Sequence, residues 1–226
     1  MIEINNLSKK YNKNIIFESF NLTIENNQIT TILGPSGCGK TTLLNLISKI
    51  DTDYSGNITG LDHNKISYIF QEPRLLNWLT VYENIKLVID NDKLINNILK
   101  IVDLDNDINL YPPDLSGGMK QRVSIARAFC YPSNLLLMDE GFIGLDLKMK
   151  LELINYFIKI WQNDKKTVIY ITHDIDEALL ISDRIIQFSN KPVNIINDIT
   201  ITVAKNNRVN NNSINGYKDK LIKAIL

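Results

Sequence analysis

The segment Gly34-Pro35-Ser36-Gly37-Cys38-Gly39-Lys40-Thr41-Thr42 constrains this chain more than any other. An apolar run, Ile29 to Leu33, leads into it, and the leucine-rich stretch from Lys40 to Ile50 follows with helical spacing. That order of strand, glycine-rich loop and helix is the context the phosphate-loop pattern requires. Glycines let the backbone curl into a concavity whose amides point inward, with no side chains obstructing a polyphosphate. A helix starting near Lys40 adds its positive end to the same anion site. In this pattern Lys40 reaches β- and γ-phosphates, and Thr41 offers its hydroxyl to Mg²⁺.

The rest of the chain arranges itself around that unit. Short β-rich runs at Ile2 to Ile4, Ile15 to Phe17 and Leu22 to Ile24 predict an antiparallel start. From Ile29 onward strands alternate with helices. Ser67 to Phe70, Leu135 to Met138, Thr167 to Ile171 and Arg184 to Phe188 are the later strands, so an α/β fold with a mainly parallel sheet is expected. Between Val81 and Tyr111 the spacing of Leu94, Ile98 and Ile101 suggests two helices in an inserted lobe, which ends at Pro112-Pro113. The expected division is one domain over 1–226, with 1–78 and 131–205 as nucleotide-binding core and 79–130 as helical subdomain. The stretch 206–226 is expected to be a polar C-terminal tail, mobile from Asn206 to Asn215.

The run Leu135-Leu136-Leu137-Met138-Asp139-Glu140 is an apolar strand ending in two carboxylates. In open α/β sheets ligands gather at the carboxyl ends of strands. Asp139 is therefore expected to hold Mg²⁺ through water, and Glu140 to orient and deprotonate an attacking water. ATP and Mg²⁺ are the implied ligands.

Composition narrows the partners. Among 226 residues, 25 Lys and Arg balance 25 Asp and Glu. No global field draws the chain to nucleic acid, which is not expected as a partner. No run approaches the roughly 18 apolar residues of a spanning helix, and no leader is evident at the start, so a cytosolic location is expected. Cys38 and Cys130 are both read as reduced, Cys38 as a small loop residue and Cys130 as core. His63, in a polar stretch, reads as a surface residue.

Leu115-Ser116-Gly117-Gly118-Met119 precedes a helix, Lys120 to Cys130. Read alone it is either a second anion site or an ordinary helix cap. Together with the phosphate loop, Gln71, the Asp139-Glu140 pair, Asp146 and His173, in this order, it resembles the ATP-binding-cassette (ABC) ATPases over about Met1 to Ser189. The resemblance implies a phosphate-loop NTPase of ABC type. It also implies a head-to-tail pair of cassettes, in which Ser116, Gly117, Gly118 and Met119 of one copy close on the γ-phosphate held by the other, with Asp146 in the dimer loop. Tyr11 matches the aromatic that stacks on adenine, the lesser alternative being an exposed tyrosine near the edge of the β region. Gln71 matches the glutamine that touches Mg²⁺ or the water and senses the membrane partner, and His173 the histidine that contacts the γ-phosphate.

Two features depart from the family pattern. The inserted helical lobe looks shorter than is common for the family, while Met119 at the fifth signature place is a tolerated variation. Gly141-Phe142-Ile143-Gly144-Leu145-Asp146 stands where importers usually read Pro-Phe-Gly-Ala-Leu-Asp, and should be looser. The stretches Gln71 to Ile85 and Thr172 to Ala178 are similar to the nitrate, sulfonate and taurine importer branch. That similarity implies an ATPase at the cytoplasmic face of the membrane, held there by a separate permease. Gln71 and the helices around Val81 would form the docking groove, and an extracytoplasmic solute-binding protein would be an indirect partner. The alternatives are a soluble ABC-type ATPase uncoupled from transport, and a phosphate-loop kinase. The signature and the water-activating acid argue against the kinase.

Overall fold

A computed structural model describes residues 1–62, 65–142, 144–209 and 212–224. The chain begins with β1 (Ile2–Tyr11), β2 (Asn14–Ile24), β3 (Ile29–Leu33), α1 (Lys40–Ile47) and β4 (Ser55–Thr59). It continues through β5 (Ile66–Ile69), α2 (Val81–Lys86), α3 (Asp92–Ile101), α4 (Gly117–Cys130), β6 (Leu135–Asp139) and α5 (Leu147–Asn163). It closes with β7 (Thr167–Thr172), α6 (Ile175–Ile181), β8 (Arg184–Phe188), β9 (Ile195–Thr200) and α7 (Asn215–Lys223). Two compact units result, Met1–Ile66 with Thr167–Leu226, and Ser67–Lys166. The second unit is larger than the lobe expected over 79–130, since it also holds most of β5, β6 and α5.

In the first unit β3 runs parallel to β7 on one side and β8 on the other, while β9 closes antiparallel on β8. Every residue of β3 and β7 is buried, the pattern of parallel strands covered on both faces. The antiparallel start is more continuous than the sequence suggests. Ile15 to Phe17 and Leu22 to Ile24 belong to one strand, bent at Ser19 (φ 48°), where its pairing with β1 shifts register. β4 completes that sheet beside β1, although Ser55-Gly-Asn-Ile-Thr59 has no apolar alternation to announce a strand. Phe17, Phe20 and Phe188 connect the two sheets, with ring centroids 5.1 and 5.4 Å apart. The first helix stops at Ile47, short of the expected Ile50. Ser48 turns its hydroxyl back onto the Leu44 carbonyl at 2.8 Å, and Lys49 takes φ 59°.

The C-terminal stretch, read from sequence as a polar tail, carries a docked helix. Ile214 and Leu221 are buried against Leu33, Ala178, Leu179, Ile185 and Ile199, and Tyr217 packs on the same cluster. Arg208, itself buried, donates to the carbonyls of Leu179, Ser182 and Val203 and so satisfies the open end of α6. A few apolar residues at helical spacing inside a polar composition are enough to dock the segment.

In the second unit β5 lies beside β6, and α4 packs against α2, α3 and α5. The buried face of α3 is Ile95, Ile98 and Leu99, one step around from the Leu94 and Ile101 of the sequence reading. Phe129, Phe142 and Phe157 form the centre, at 5.2 and 6.1 Å. Lys166 ends α4: its ammonium donates to the Phe129 and Tyr131 carbonyls and to the Ser133 hydroxyl, and burial pushes its pKa down. Cys130 is free and buried, with its thiol pushed up to about 12 by burial. Buried Asn84 fastens the loop before α2, accepting from Leu76 N and donating to the carbonyls of Leu76, Leu79 and Thr80.

The docked tail gives a first prediction. Leu221→Ala should cost about 2–4 kcal/mol in chemical denaturation, the range for truncating a buried leucine. Ile222→Ala, on the exposed side of α7, should cost under about 0.5 kcal/mol. Equal small losses would mean that α7 does not dock.

Candidate nucleotide site

In the first unit, β3 delivers the chain at Gly34, where a side chain would sit 3.1 Å from Cys38 Sγ and 3.2 Å from Phe188 Cβ. Pro35, Ser36 and Gly37 then form an exposed rim before Cys38 and Gly39 return to the interior. Gly39 is the tightest point: its φ is 133°, and a Cβ there would lie 2.6 Å from Ile16 Cγ2. It also serves as N-cap of α1 with no side-chain capping bond, which leaves the helix's first amides to an incoming anion. Lys40 is 5% exposed, and its ammonium donates to the carbonyls of Gly34 at 2.7 Å and Pro35 at 2.9 Å. Thr41 is exposed and Thr42 half-buried on the first turn. Burial raises the Cys38 pKa against the pull of the Lys40 charge, so this thiol is a space-filling group and not a nucleophile.

The parallel register pairs Leu33 with Thr172, so the residue after β7, His173, emerges beside the residue after β3, Gly34. His173, Gly34 and Pro35 line one cavity of about 330 Å³. Immediately behind, Glu177 is 4% exposed and accepts hydrogen bonds from the Tyr170 and Thr172 hydroxyls, while Asp174 caps α6 through the amides of Asp176 and Glu177. The sequence reading gave Glu177 no role. Its signal was a carboxylate three residues past a capping aspartate. Tyr11 ends β1 with its ring 43% exposed and its hydroxyl donating to Asp51 at 2.6 Å. His63 lies outside the described residues.

The second unit carries the acidic pair and the signature. Asp139, 9% exposed, ends β6, and its charge together with burial drives the Tyr68 hydroxyl well above the usual phenol range. Glu140 follows at φ 47°, a conformation that costs a non-glycine residue energy. Gly141 is buried, and a Cβ there would lie 2.1 Å from the Met138 methyl, so the glycine standing in place of proline leaves room for Met138. Gly144 takes φ 75°, the left-handed region that favours glycine, and Ile143 lies outside the described residues. Ser116 caps α4 by accepting from Met119 N at 3.2 Å, with Gly117 exposed and Gly118 half-buried in the first turn. Asp146 caps α5 through Met149 N at 2.9 Å. Ser116, Gly118, Leu145 and Met149 line one small pocket, so the signature and the segment entering α5 share a surface. Gln71 is exposed, and its own carbonyl accepts from Gln121 Nε2 at 3.2 Å. Arg127 holds the next carbonyls, Pro73 and Arg74, so α4 fixes the backbone that presents Gln71.

Among the described residues no cluster of three or more His, Cys, Asp or Glu side chains could hold a metal by itself. Thr41, Asp139 and Gln71 offer a hydroxyl, a carboxylate and an amide oxygen. Each is a hard oxygen donor of the kind Mg²⁺ takes, and that ion keeps waters and needs few protein ligands. No described helix is long and apolar enough to cross a membrane.

The match to a family model, ABC transporter, spans residues 17–142, more than half of the chain. The chain belongs to the ABC transporter family. The aliphatic sulfonates import ATP-binding protein SsuB of Bacillus cereus (strain ZK / E33L) is 42% identical over 84% of this chain and 82% of its own. SsuB 2 of Pseudomonas syringae pv. tomato is 34% identical over 85% and 84%. Among solved structures, the ATP-binding cassette MJ0796, a dimer in a post-hydrolysis state bound to ADP and Pi, superimposes with a TM-score of 0.75 at 29% identity. That superposition covers 90% of this chain and 100% of the other. This chain is an ABC ATPase: its parallel strands, antiparallel N-terminal sheet and phosphate loop are those of the cassette fold.

The loop geometry separates two glycines that the sequence pattern treats alike. Gly39→Ala meets both a clash and a forbidden φ, so ATP binding measured by calorimetry should fall below detection and the melting temperature should drop. Gly37→Ala, at φ 74° in open space, should carry only the conformational cost of about 1 kcal/mol and bind ATP measurably.

Proposed function

We propose that this ABC ATPase powers uptake of a small solute of the sulfonate, nitrate or taurine kind through a separate permease at the cytoplasmic face of a membrane. One observation carries the catalytic half: an uncapped helix start under a glycine arch, with the Lys40 ammonium resting on the loop's own carbonyls. An entering triphosphate offers stronger, charged acceptors to that ammonium and to the α1 amides. The import half is supported by the relatives at 34–42% identity, which are named for sulfonate import.

In the proposed cycle Lys40 and the backbone amides from Ser36 to Thr42 hold the phosphates, and Tyr11 stacks on the adenine. Thr41, Asp139 and Gln71 would offer oxygen donors to Mg²⁺, which would supply charge neutralisation on the triphosphate. Glu140 takes the proton of the attacking water, and His173 donates to the γ-phosphate. Ser116, Gly117, Gly118 and Met119 act on the nucleotide of a second copy, with Asp146 at the same interface, and the dimeric MJ0796 cassette supports such pairing. Loss of the γ-phosphate removes the anion that both copies share, and the interface opens.

The permease would dock near Gln71. Trp78 is 72% exposed, Leu87 55% and Tyr111 45%, and backbone bonds from Val81 N to Leu110 O and from Tyr82 N to Ile108 O bring the 108–111 segment alongside α2. Exposed apolar groups gathered this way mark a contact surface. A solute-binding protein would meet the permease on its other side and never touch this chain.

Three outcomes test the proposal. Glu140→Gln should slow ATP turnover by roughly 10²- to 10⁴-fold, the general-base range, while ATP-dependent dimers persist in gel filtration. Unchanged turnover would remove Glu140 from that role. Ser116→Arg should abolish ATP-dependent dimers yet spare ATP binding by the monomer. Trp78→Ser should leave the ATPase rate of the isolated cassette intact but stop co-purification with its permease; retained co-purification would move the docking surface elsewhere.

A further inference from the structure

Tyr11 sits where a side chain has little reason to hold still. It ends β1 at the tip of a hairpin whose two-residue turn, Asn12-Lys13, joins it to Asn14, and nearly half of the residue faces solvent. A ring tethered by its Cβ alone would sample several rotamers and lose that freedom whenever a base stacks on it. Two groups remove the freedom beforehand. The Tyr11 hydroxyl donates to Asp51 Oδ2 at 2.6 Å, and the Thr42 side chain also interacts with that hydroxyl. The Lys9 ammonium, on a side chain only 2% exposed, lies 4.6 Å from the ring centroid and so occupies one of the two ring faces.

These two groups are themselves joined. Lys9 Nζ donates to Asp51 Oδ1 at 2.9 Å, to the Asp53 carbonyl at 2.5 Å and to Asp53 Oδ2 at 3.3 Å. Asp51 is fixed in turn by its own backbone, since Asp51 N donates to Asn45 O at 3.1 Å and Asp53 N returns to Asp51 Oδ1 at 3.0 Å. Asn45 belongs to α1, the helix that starts at Lys40. The chain of contacts thus runs from the phosphate-binding helix through Asp51 to the ring. The Asp51 carboxyl is held down to about 2, first by the Tyr11 hydroxyl and then by Lys9, so it is ionised at any working pH and accepts both bonds as an anion.

We infer that Asp51, braced by Lys9, is a positioning residue for adenine: it locks the Tyr11 ring against the same helix that holds the phosphates and leaves one ring face for the base. The inference rests on the reading of Tyr11 as the stacking residue and adds what orients it. The reserved face also bears on selectivity. A purine overlaps a fixed ring more completely than a pyrimidine does, so the lock favours ATP over CTP, whereas a swinging ring would accommodate both.

Calorimetric titration with ATP and with inorganic tripolyphosphate, which has no base, tests this directly. Asp51→Ala and Tyr11→Phe should each weaken ATP about two- to tenfold, the range of one hydrogen bond, and leave tripolyphosphate unchanged. The double variant should be no worse than either single one, because both remove the same bond. In steady state Asp51→Ala should raise KM for ATP, hold kcat, and narrow the preference for ATP over CTP. Equal weakening of ATP and tripolyphosphate, or additive losses in the double variant, would overturn the positioning role. If Tyr11→Ala weakens ATP but Asp51→Ala does not, the inference falls while stacking on Tyr11 stands. If Tyr11→Ala leaves ATP affinity intact, the stacking reading itself falls, and the inference with it.

Discussion

A backbone that must curl back on itself between Gly34 and Lys40 can do so only because position 39 carries no side chain. With φ at 133° and Ile16 2.6 Å from where a Cβ would stand, the chain turns directly into α1 with no residue spared for a cap. The bare helix end, the inward lysine and the cradle for phosphate all follow from that one steric allowance. Neighbouring elements are then placed relative to the loop. The Leu33 to Thr172 register brings His173 to its rim, and the segment after α1 carries Asp51 to Tyr11.

Much of this was legible in the sequence because each signal was local. The phosphate loop, the apolar strand ending in Asp139-Glu140, and Ser116 before two glycines each announce themselves within a few residues, and the helices and parallel strands around them follow ordinary periodicity. The misses were of another kind. β4 and the Asp51 contact depend on pairing across long stretches of chain, and α7 depends on a few buried residues in a polar background. Glu177 drew no reading because nothing in its neighbourhood says that Tyr170 and Thr172 will donate to it. Tertiary partners decide such residues, and local pattern does not carry them.

The departures from the family pattern read differently once packing is visible. Glycine at 141 does not simply loosen the loop: its missing side chain is the space that Met138 fills, so the two positions behave as one packing choice. Restoring proline would make the Met138 side chain shift aside. Gly144, by contrast, is demanded by backbone conformation, with open space around it. Adjacent glycines in one loop therefore answer to separate physical causes.

Asn84 has a consequence for how the cassette meets other molecules. By fastening the carbonyls of Leu76, Leu79 and Thr80 with a single amide, it turns the stretch around Trp78 into a stiff shelf. A partner docking there would meet a shape already set during folding, so little conformational freedom would be lost on contact.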